Sequence, residues 1–245
     1  MKKYFCRAVF VSGLLVCSGV AQAFQLSPIA RVMTPKGKEA IAEFRLINDA
    51  QDPIAAEVKI MKRTMSADGQ DTLTDVTDEF SLFPAQTIIS PSDIKMVRVQ
   101  WLGNPDLTEE SAYRIIAEQV PVNLEQKSKG RSAQIQIMLK YIGSLYVRPE
   151  GLKSHLQVVT AKVGSNKAGK TLQLTVANKG KRHTLVKDVV LKVGEIELKA
   201  EDLKGFAESN ILAGVERTYQ IPYPAKLGGA NLNLNTIKLT YRESD

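Results

Sequence analysis

The stretch of residues 164–171, GSNKAGKT, comes nearest to a known ligand-binding motif. It fits the pattern G-x-x-x-x-G-K-[ST], in which backbone N–H groups and a lysine bind nucleotide phosphates. That chemistry requires a helix directly after the lysine, so that its first N–H groups meet the phosphates. The residues that follow the lysine, TLQLTV, alternate as a β-strand does. We therefore interpret the segment as a hairpin loop and expect neither a nucleotide nor another cofactor.

The acidic stretch from Asp68 to Glu79 has the length of a calcium-binding loop. It has Leu73 at the position that requires glycine, and Gln70 and Thr72 where carboxylates are expected. A solvated loop is the better interpretation.

The two histidines, His155 and His183, have no neighbouring cysteine and no metal-binding spacing, and no G-x-S-x-G motif accompanies them. We expect no metal site, and nothing in the sequence favours an enzyme.

The composition is that of a globular protein, with 44% apolar and 24% charged residues and a net charge of +7. The basic clusters at residues 127–131 and 179–182 lie in apparent turns and lack interleaved aromatic residues. We interpret them as solvated loops, and expect no nucleic-acid partner.

The first 23 residues have the pattern of a secretory signal peptide, with cleavage expected after Ala23. A basic start is followed by an apolar run, and the small residues Ala21 and Ala23 form the cleavage pattern. Removal of this segment takes away three basic residues, no acidic residue and both cysteines, Cys6 and Cys17, and leaves a net charge of +4. The remaining chain cannot depend on disulfides, and no later apolar run is long enough for stable membrane insertion.

Short segments with apolar residues at every second position recur throughout the rest of the chain, separated by turn-forming residues. This pattern predicts an all-β protein of two β-sandwich domains in tandem. Pro149 cannot donate a hydrogen bond to a neighbouring strand, so we expect the boundary there, with domains at residues 24–149 and 150–245.

The segment before this boundary, residues 133–147, is about twice as long as a usual strand. Large side chains alternate along it, at Ile135, Ile137, Leu139 and Tyr141. The row either fills the core of its own domain or belongs to an edge strand that is lent to a partner.

Several segments of the first domain together resemble the periplasmic chaperones of chaperone–usher pilus assembly. Their order and spacing carry the resemblance: Phe83-Pro84, Ile88 to Pro91, Met96 to Val99, Tyr113 to Pro121, and Leu145 to Pro149. Residues 140–147 are most similar to the divergent archaic or alternate branches of the family.

The resemblance implies two immunoglobulin-like domains set in an L shape, with a pilus subunit bound between them. Such chaperones complete the subunit's fold with their own long strand and deliver the subunit to an outer-membrane usher. The donated row would be Ile135, Ile137 and Leu139, with Tyr141 as a fourth residue.

The resemblance also implies a pair of cations that anchor the subunit's terminal carboxylate, and we expect these to be Arg31 and Lys140. In well-known members the second cation is a lysine five residues before the proline of the Arg-Pro pair, where this chain has Ser144. Arg148 is expected to join the two domains through an ion pair. Two alternatives remain: a secreted two-domain structural or adhesive fibre subunit, and an exported β-sandwich hydrolase.

Overall fold

The computed structural model describes residues 24–76, 78–121 and 138–245. The predicted signal peptide and two members of the predicted donor row, Ile135 and Ile137, lie outside these residues. Ten strands form the first part of the chain: β1 (Phe24–Ser27), β2 (Ala30–Met33), β3 (Ile41–Asn48), β4 (Ile54–Met65), β5 (Asp71–Asp75), β6 (Phe80–Phe83), β7 (Gln86–Ile89), β8 (Asp93–Trp101), β9 (Ser111–Val120) and β10 (Lys140–Val147).

These strands form two facing sheets. One has the order β1-β3-β8-β6, and the other has the order β2-β10-β9-β4-β5 with β7 paired to β4. The period of two in the sequence decides which side chains face inward. In β3, for example, Ala42, Phe44 and Leu46 are buried, whereas Glu43 and Arg45 are exposed. The two inner faces share one apolar core, which includes Phe44, Val97, Tyr113 and Leu145.

Eight further strands form the second part of the chain: β11 (Leu156–Asn166), β12 (Gly169–Asn178), β13 (Thr184–Leu185), β14 (Lys187–Val193), β15 (Ile196–Lys199), β16 (Asn210–Ile211), β17 (Glu216–Pro222) and β18 (Ile237–Arg242). They form sheets of order β11-β12-β17 and β15-β14-β18, and a short pair, β13-β16. A separate core, which includes Leu174, Leu191 and Phe206, lies between them.

The prediction of an all-β fold with two sandwich domains is therefore confirmed. The helices among the described residues are four 3₁₀ segments: Lys38–Ala40, Ala200–Asp202, Ala225–Leu227 and Leu234–Thr236. No helix in this part of the chain is long and apolar enough to cross a membrane.

Two sequence-based expectations can be compared with the described residues. The motif at residues 164–171 lies in the hairpin that joins β11 to β12, which has no helix after the lysine. Of the long strand expected over residues 133–147, the described residues form a strand from Lys140 to Val147. Met138 and Leu139, which precede it, are not part of a strand.

A pair of phenylalanines tests how the first domain is stabilised. Phe44 is 0% exposed and Phe83 is 76% exposed. We expect Phe44→Ala to lower the free energy of unfolding by about 3–5 kcal/mol, because it leaves a cavity in the core. The matched variant Phe83→Ala should change it by less than about 0.5 kcal/mol. Denaturant unfolding measures both, and equal losses would contradict this account of the core.

Candidate functional site

One edge of β10 is only partly covered. On one side β10 pairs with β9 along its whole length, from Lys140 to Val147. On the other side the parallel strand β2 pairs only with residues 144–147 of β10. Within the described ranges, no strand pairs with residues 140–143 on that side. An uncovered edge of this kind offers backbone hydrogen-bonding groups to another chain.

The inner face of β10 packs against the core of its own domain. The Tyr141 ring meets the Phe24 ring edge-on, with centroids 5.7 Å apart. Leu139 is also half-buried against this core. These two members of the predicted donor row are thus in contact with their own domain in the free chain.

The structure does not bring Arg31 and Lys140 together. Arg31 of β2 pairs with Leu145 of β10, five residues along the strand from Lys140, which corresponds to about 16 Å. Side chains alternate between the faces of a sheet, so Arg31 shares its face with Leu145, whereas Lys140 belongs to the opposite face. Lys140 instead forms an ion pair with Glu118 on the neighbouring strand, at 3.2 Å.

That opposite face, which we call the outer face, carries a different cation beside Ser144. Arg114 of β9 pairs directly with Ser144 of β10, and its Nη1 donates to the Ser144 hydroxyl at 2.6 Å. The same guanidinium donates from Nε and Nη2 to one oxygen of Asp71, at 2.9 and 2.6 Å.

Asp71 is shared by a second guanidinium. Arg63 donates from Nε to the other oxygen of Asp71 at 2.7 Å. The side chain of Arg63 is 4% exposed and that of Arg114 is 19% exposed. Burial raises the pKa of Asp71, but the hydrogen bonds from Arg63 and Arg114 outweigh this effect and place the pKa below its ordinary value. The carboxylate is therefore ionised at neutral pH.

The Arg63–Asp71–Arg114 cluster has two positive charges and one negative charge. The cluster therefore has a net charge of +1 on a partly buried face, and Arg114 is the more exposed of its two arginines. A guanidinium in this position can bind a carboxylate or another anion through charge-assisted hydrogen bonds. Sequence reasoning did not identify this cluster, although Arg114 lies in one of the segments that carry the family resemblance.

Tyr146, farther along the outer face, connects the cluster to the second domain. Its hydroxyl accepts hydrogen bonds from Arg63 at 3.2 Å and from the Asn210 side chain at 2.9 Å. Its ring stacks on the His183 ring, with centroids 3.7 Å apart. Tyr146 thus contacts two residues of the second domain, and Arg63 is connected to them through the Tyr146 hydroxyl.

Arg148 lies at the centre of an ion network between the domains. It donates to both oxygens of Asp245, at 2.6 and 2.8 Å, and to Glu110 at 3.4 Å. The hydrogen bonds between Arg148 and Asp245 raise the pKa of Arg148 and lower the pKa of Asp245. Glu110 also accepts the backbone N–H of His183 at 2.9 Å and lies 2.7 Å from its Nδ1. Glu110 thus fixes His183 by two contacts, and Asp245 lies 3.9 Å from its Nε2. The described residues contain no group of three or more His, Cys, Asp or Glu residues that could hold a metal ion.

A known protein family matches just over half of the chain. Residues 26–153 match the pili and flagellar-assembly chaperones, PapD N-terminal domain. No curated protein matches the sequence.

Solved structures of low sequence identity share the fold. A chain of the CsuC–CsuE chaperone–tip adhesion subunit pre-assembly complex, from the archaic chaperone-usher Csu pili of Acinetobacter baumannii, has a TM-score of 0.61 at 16% identity, covering 91% of this chain and 93% of that chain. The Class 5 fimbriae chaperone CfaA has a TM-score of 0.56 at 11% identity, covering 91% and 100%. A chain of the Salmonella enterica SafA pilin–SafB chaperone complex has a TM-score of 0.51 at 13% identity, covering 84% and 86%.

At these identities the structural likeness establishes the fold, and the family match establishes the relationship. The two agree with the arrangement of two sandwiches around separate cores. The chain therefore belongs to the family of pili and flagellar-assembly chaperones.

Proposed function

We propose that this chain is a periplasmic chaperone that binds pilus subunits by donor-strand complementation and delivers them to an outer-membrane usher. The observation that carries the proposal is the uncovered edge of β10 at residues 140–143, next to a row of alternating apolar side chains. Residues 1–23 would direct the chain to the periplasm and be removed after Ala23. Binding and strand exchange require no catalysis, so we expect no enzymatic activity, no nucleotide and no cofactor.

Such a function has a clear physical basis. A sandwich that lacks one strand exposes its core and an unpaired edge, and both favour aggregation. A lent strand covers the edge with main-chain hydrogen bonds, and its alternate side chains fill the exposed core. Two of the structurally similar proteins were solved as complexes of a chaperone with a tip subunit or a pilin, which supports this interpretation. The family match favours it over a fibre subunit or a hydrolase.

The proposed donor row is Ile135, Ile137, Leu139 and Tyr141. Leu139 and Tyr141 already contact the chaperone's own core, so they would serve both sandwiches at once. Ile135 and Ile137 would then enter the subunit more deeply.

The proposed function includes an anchor for the subunit's terminal carboxylate. Arg31 and Lys140 remain the pair expected from the sequence, although they lie on opposite faces of the sheet. Arg114 is a second candidate, since its Nη1 lies 2.6 Å from the hydroxyl of Ser144, the residue that stands where related chaperones have lysine. A carboxylate at this point would meet the unbalanced positive charge of the Arg63–Asp71–Arg114 cluster.

Replacement of Ile137 by aspartate tests the donor row. We expect Ile137→Asp to leave the chaperone folded but to abolish co-purification of subunits from its own periplasm, because a charge cannot enter the subunit's apolar core without a large desolvation penalty. Mass spectrometry identifies the captured subunits. The control is Gln136→Asp, which adds the same charge one residue away. In a donated strand this side chain would point away from the subunit's core, so binding should be retained. If Ile137→Asp itself fails to fold, the row belongs to the chaperone's own core.

Three matched glutamine variants test the anchor: Arg31→Gln, Lys140→Gln and Arg114→Gln. The ligand is a peptide of the last strand of the captured subunit, with either a free C-terminal carboxylate or an amide. If Arg114 binds the carboxylate, Arg114→Gln weakens binding of the free acid by about 10- to 100-fold, since a hydrogen bond to a charged group contributes about 1.5–3 kcal/mol. The amide should lose little. Loss of the acid–amide difference in Arg31→Gln or Lys140→Gln, but not in Arg114→Gln, would identify the sequence-based pair instead.

A further inference from the structure

The tip of the hairpin between β4 and β5, residues 66–70, reaches the second domain. The backbone N–H of Thr218, in β17, donates to the carbonyl oxygen of Ala67 at 2.7 Å. β17 is an end strand of its sheet and pairs with β12 on its other side. The hairpin tip of the first domain therefore covers part of an open edge in the second.

Arg217 lies across the same tip. Its guanidinium is so close to Gly69 that a Cβ atom at this position would overlap it. Gly69 also has a φ of +85°, which favours glycine. The guanidinium is fixed from the other side, because its Nη1 donates to the Asn210 carbonyl at 2.9 Å and its central carbon lies 4.8 Å from the centre of the Tyr219 ring.

The contact is continuous with the cation cluster on the outer face. Asn210 accepts from Arg217 through its carbonyl and donates to the Tyr146 hydroxyl through its side chain. Tyr146 in turn accepts from Arg63, which is paired with Asp71. Asp71 is the first residue of β5, directly after the hairpin tip. The tip is therefore connected to the cluster in two ways: directly through Asp71, which follows it in the chain, and through Arg217 and Asn210 of the second domain.

We propose that residues 66–70 and Arg217 form a clamp between the domains, and that Gly69 and Arg217 are positioning residues that hold Arg63, Asp71 and Arg114 in place for a bound subunit. The clamp is distinct from the ion network around Arg148. The clamp thus adds a point of contact between the domains to those made by Tyr146 and Arg148, which further restricts rotation between them. The chaperone would then present a preformed cation cluster, and the subunit would not have to order it on binding. The positioning role rests on the function proposed above, whereas the clamp does not.

The glycine pair Gly69 and Gly37 provides a matched test of the clamp. Gly37 has a φ of +80° and nothing within 4 Å of a Cβ atom. Gly69→Ala and Gly37→Ala thus both place an alanine at a positive φ, but only Gly69→Ala displaces Arg217. We expect hydrogen exchange at the Thr218 amide to accelerate at least about tenfold in Gly69→Ala and to be unchanged in Gly37→Ala, since exchange reports local opening. Unchanged exchange in Gly69→Ala would overturn the clamp.

A second measurement separates positioning from a general structural effect. In Gly69→Ala, NMR titration of the Asp71 carboxyl group should show its lowered pKa moving back towards the ordinary value, because its arginine partners are less well held. Gly37→Ala should leave the titration unchanged. Faster exchange at Thr218 with an unchanged Asp71 titration would overturn the positioning role and retain the clamp.

Arg217→Gln gives an independent variant in case Gly69→Ala does not fold. It removes the guanidinium and keeps Gly69, and it should produce the same changes at Thr218 and Asp71. In the double variant, Gly69→Ala should add little to Arg217→Gln, because the overlap that it creates has been removed. Full additivity would contradict direct contact between these residues.

Subunit capture then relates the clamp to function. If only a fraction of the variant molecules has the cluster in place, the apparent affinity for the subunit is the intrinsic affinity multiplied by that fraction. We expect a several-fold slower association for Gly69→Ala and no change for Gly37→Ala; equal association rates would overturn the positioning role. Failure of the unaltered chain to capture any subunit would refute the proposed function, and the exchange at Thr218 and the titration of Asp71 would still decide the clamp and the positioning of the cluster.

Discussion

The outer face of the first domain depends on one carboxylate, that of Asp71, which is shared by two guanidiniums. Neither Arg63 nor Arg114 could be held at its observed depth without this partner, since an unpaired buried charge is costly. The folded protein keeps the pKa of Asp71 below its ordinary value of 3.8. Its contribution to stability is therefore complete above that pH and is lost as the pH falls through the lower, folded-state value. At neutral pH the cluster is intact and retains one positive charge.

The same cluster links the outer face of the first domain to the relative position of the domains. Arg63 donates both to Asp71 and to Tyr146, and Tyr146 stacks on His183 of the second domain. A buried network of this kind is stabilising only when nearly all of its polar groups are paired, so it favours one arrangement of the two sandwiches over others. The ion pairs of Arg148 reinforce that arrangement from the other side of His183, which contacts both Tyr146 and Glu110.

The sequence predicts the fold much better than the site, and the reason is physical. A period of two is a local property, so strands such as β3 and β12 and the hairpin at residues 164–171 follow from neighbouring residues. The Arg63–Asp71–Arg114 cluster comes from three strands, and only the register between them brings these side chains to one face. The expected pair Arg31 and Lys140 shows the same limit, because a difference of one residue in register decides on which face a side chain lies.

The geometry explains why an arginine suits position 114 better than a lysine would. The planar guanidinium directs Nε and Nη2 at Asp71, while Nη1 donates to the Ser144 hydroxyl. A lysine has a single nitrogen at the end of a flexible chain and could not satisfy both partners in fixed directions. Ser144 is small enough to leave room for this group from the neighbouring strand. In the proposed anchor, the positive charge would thus come from β9, and Asp71 would fix its orientation before a subunit binds.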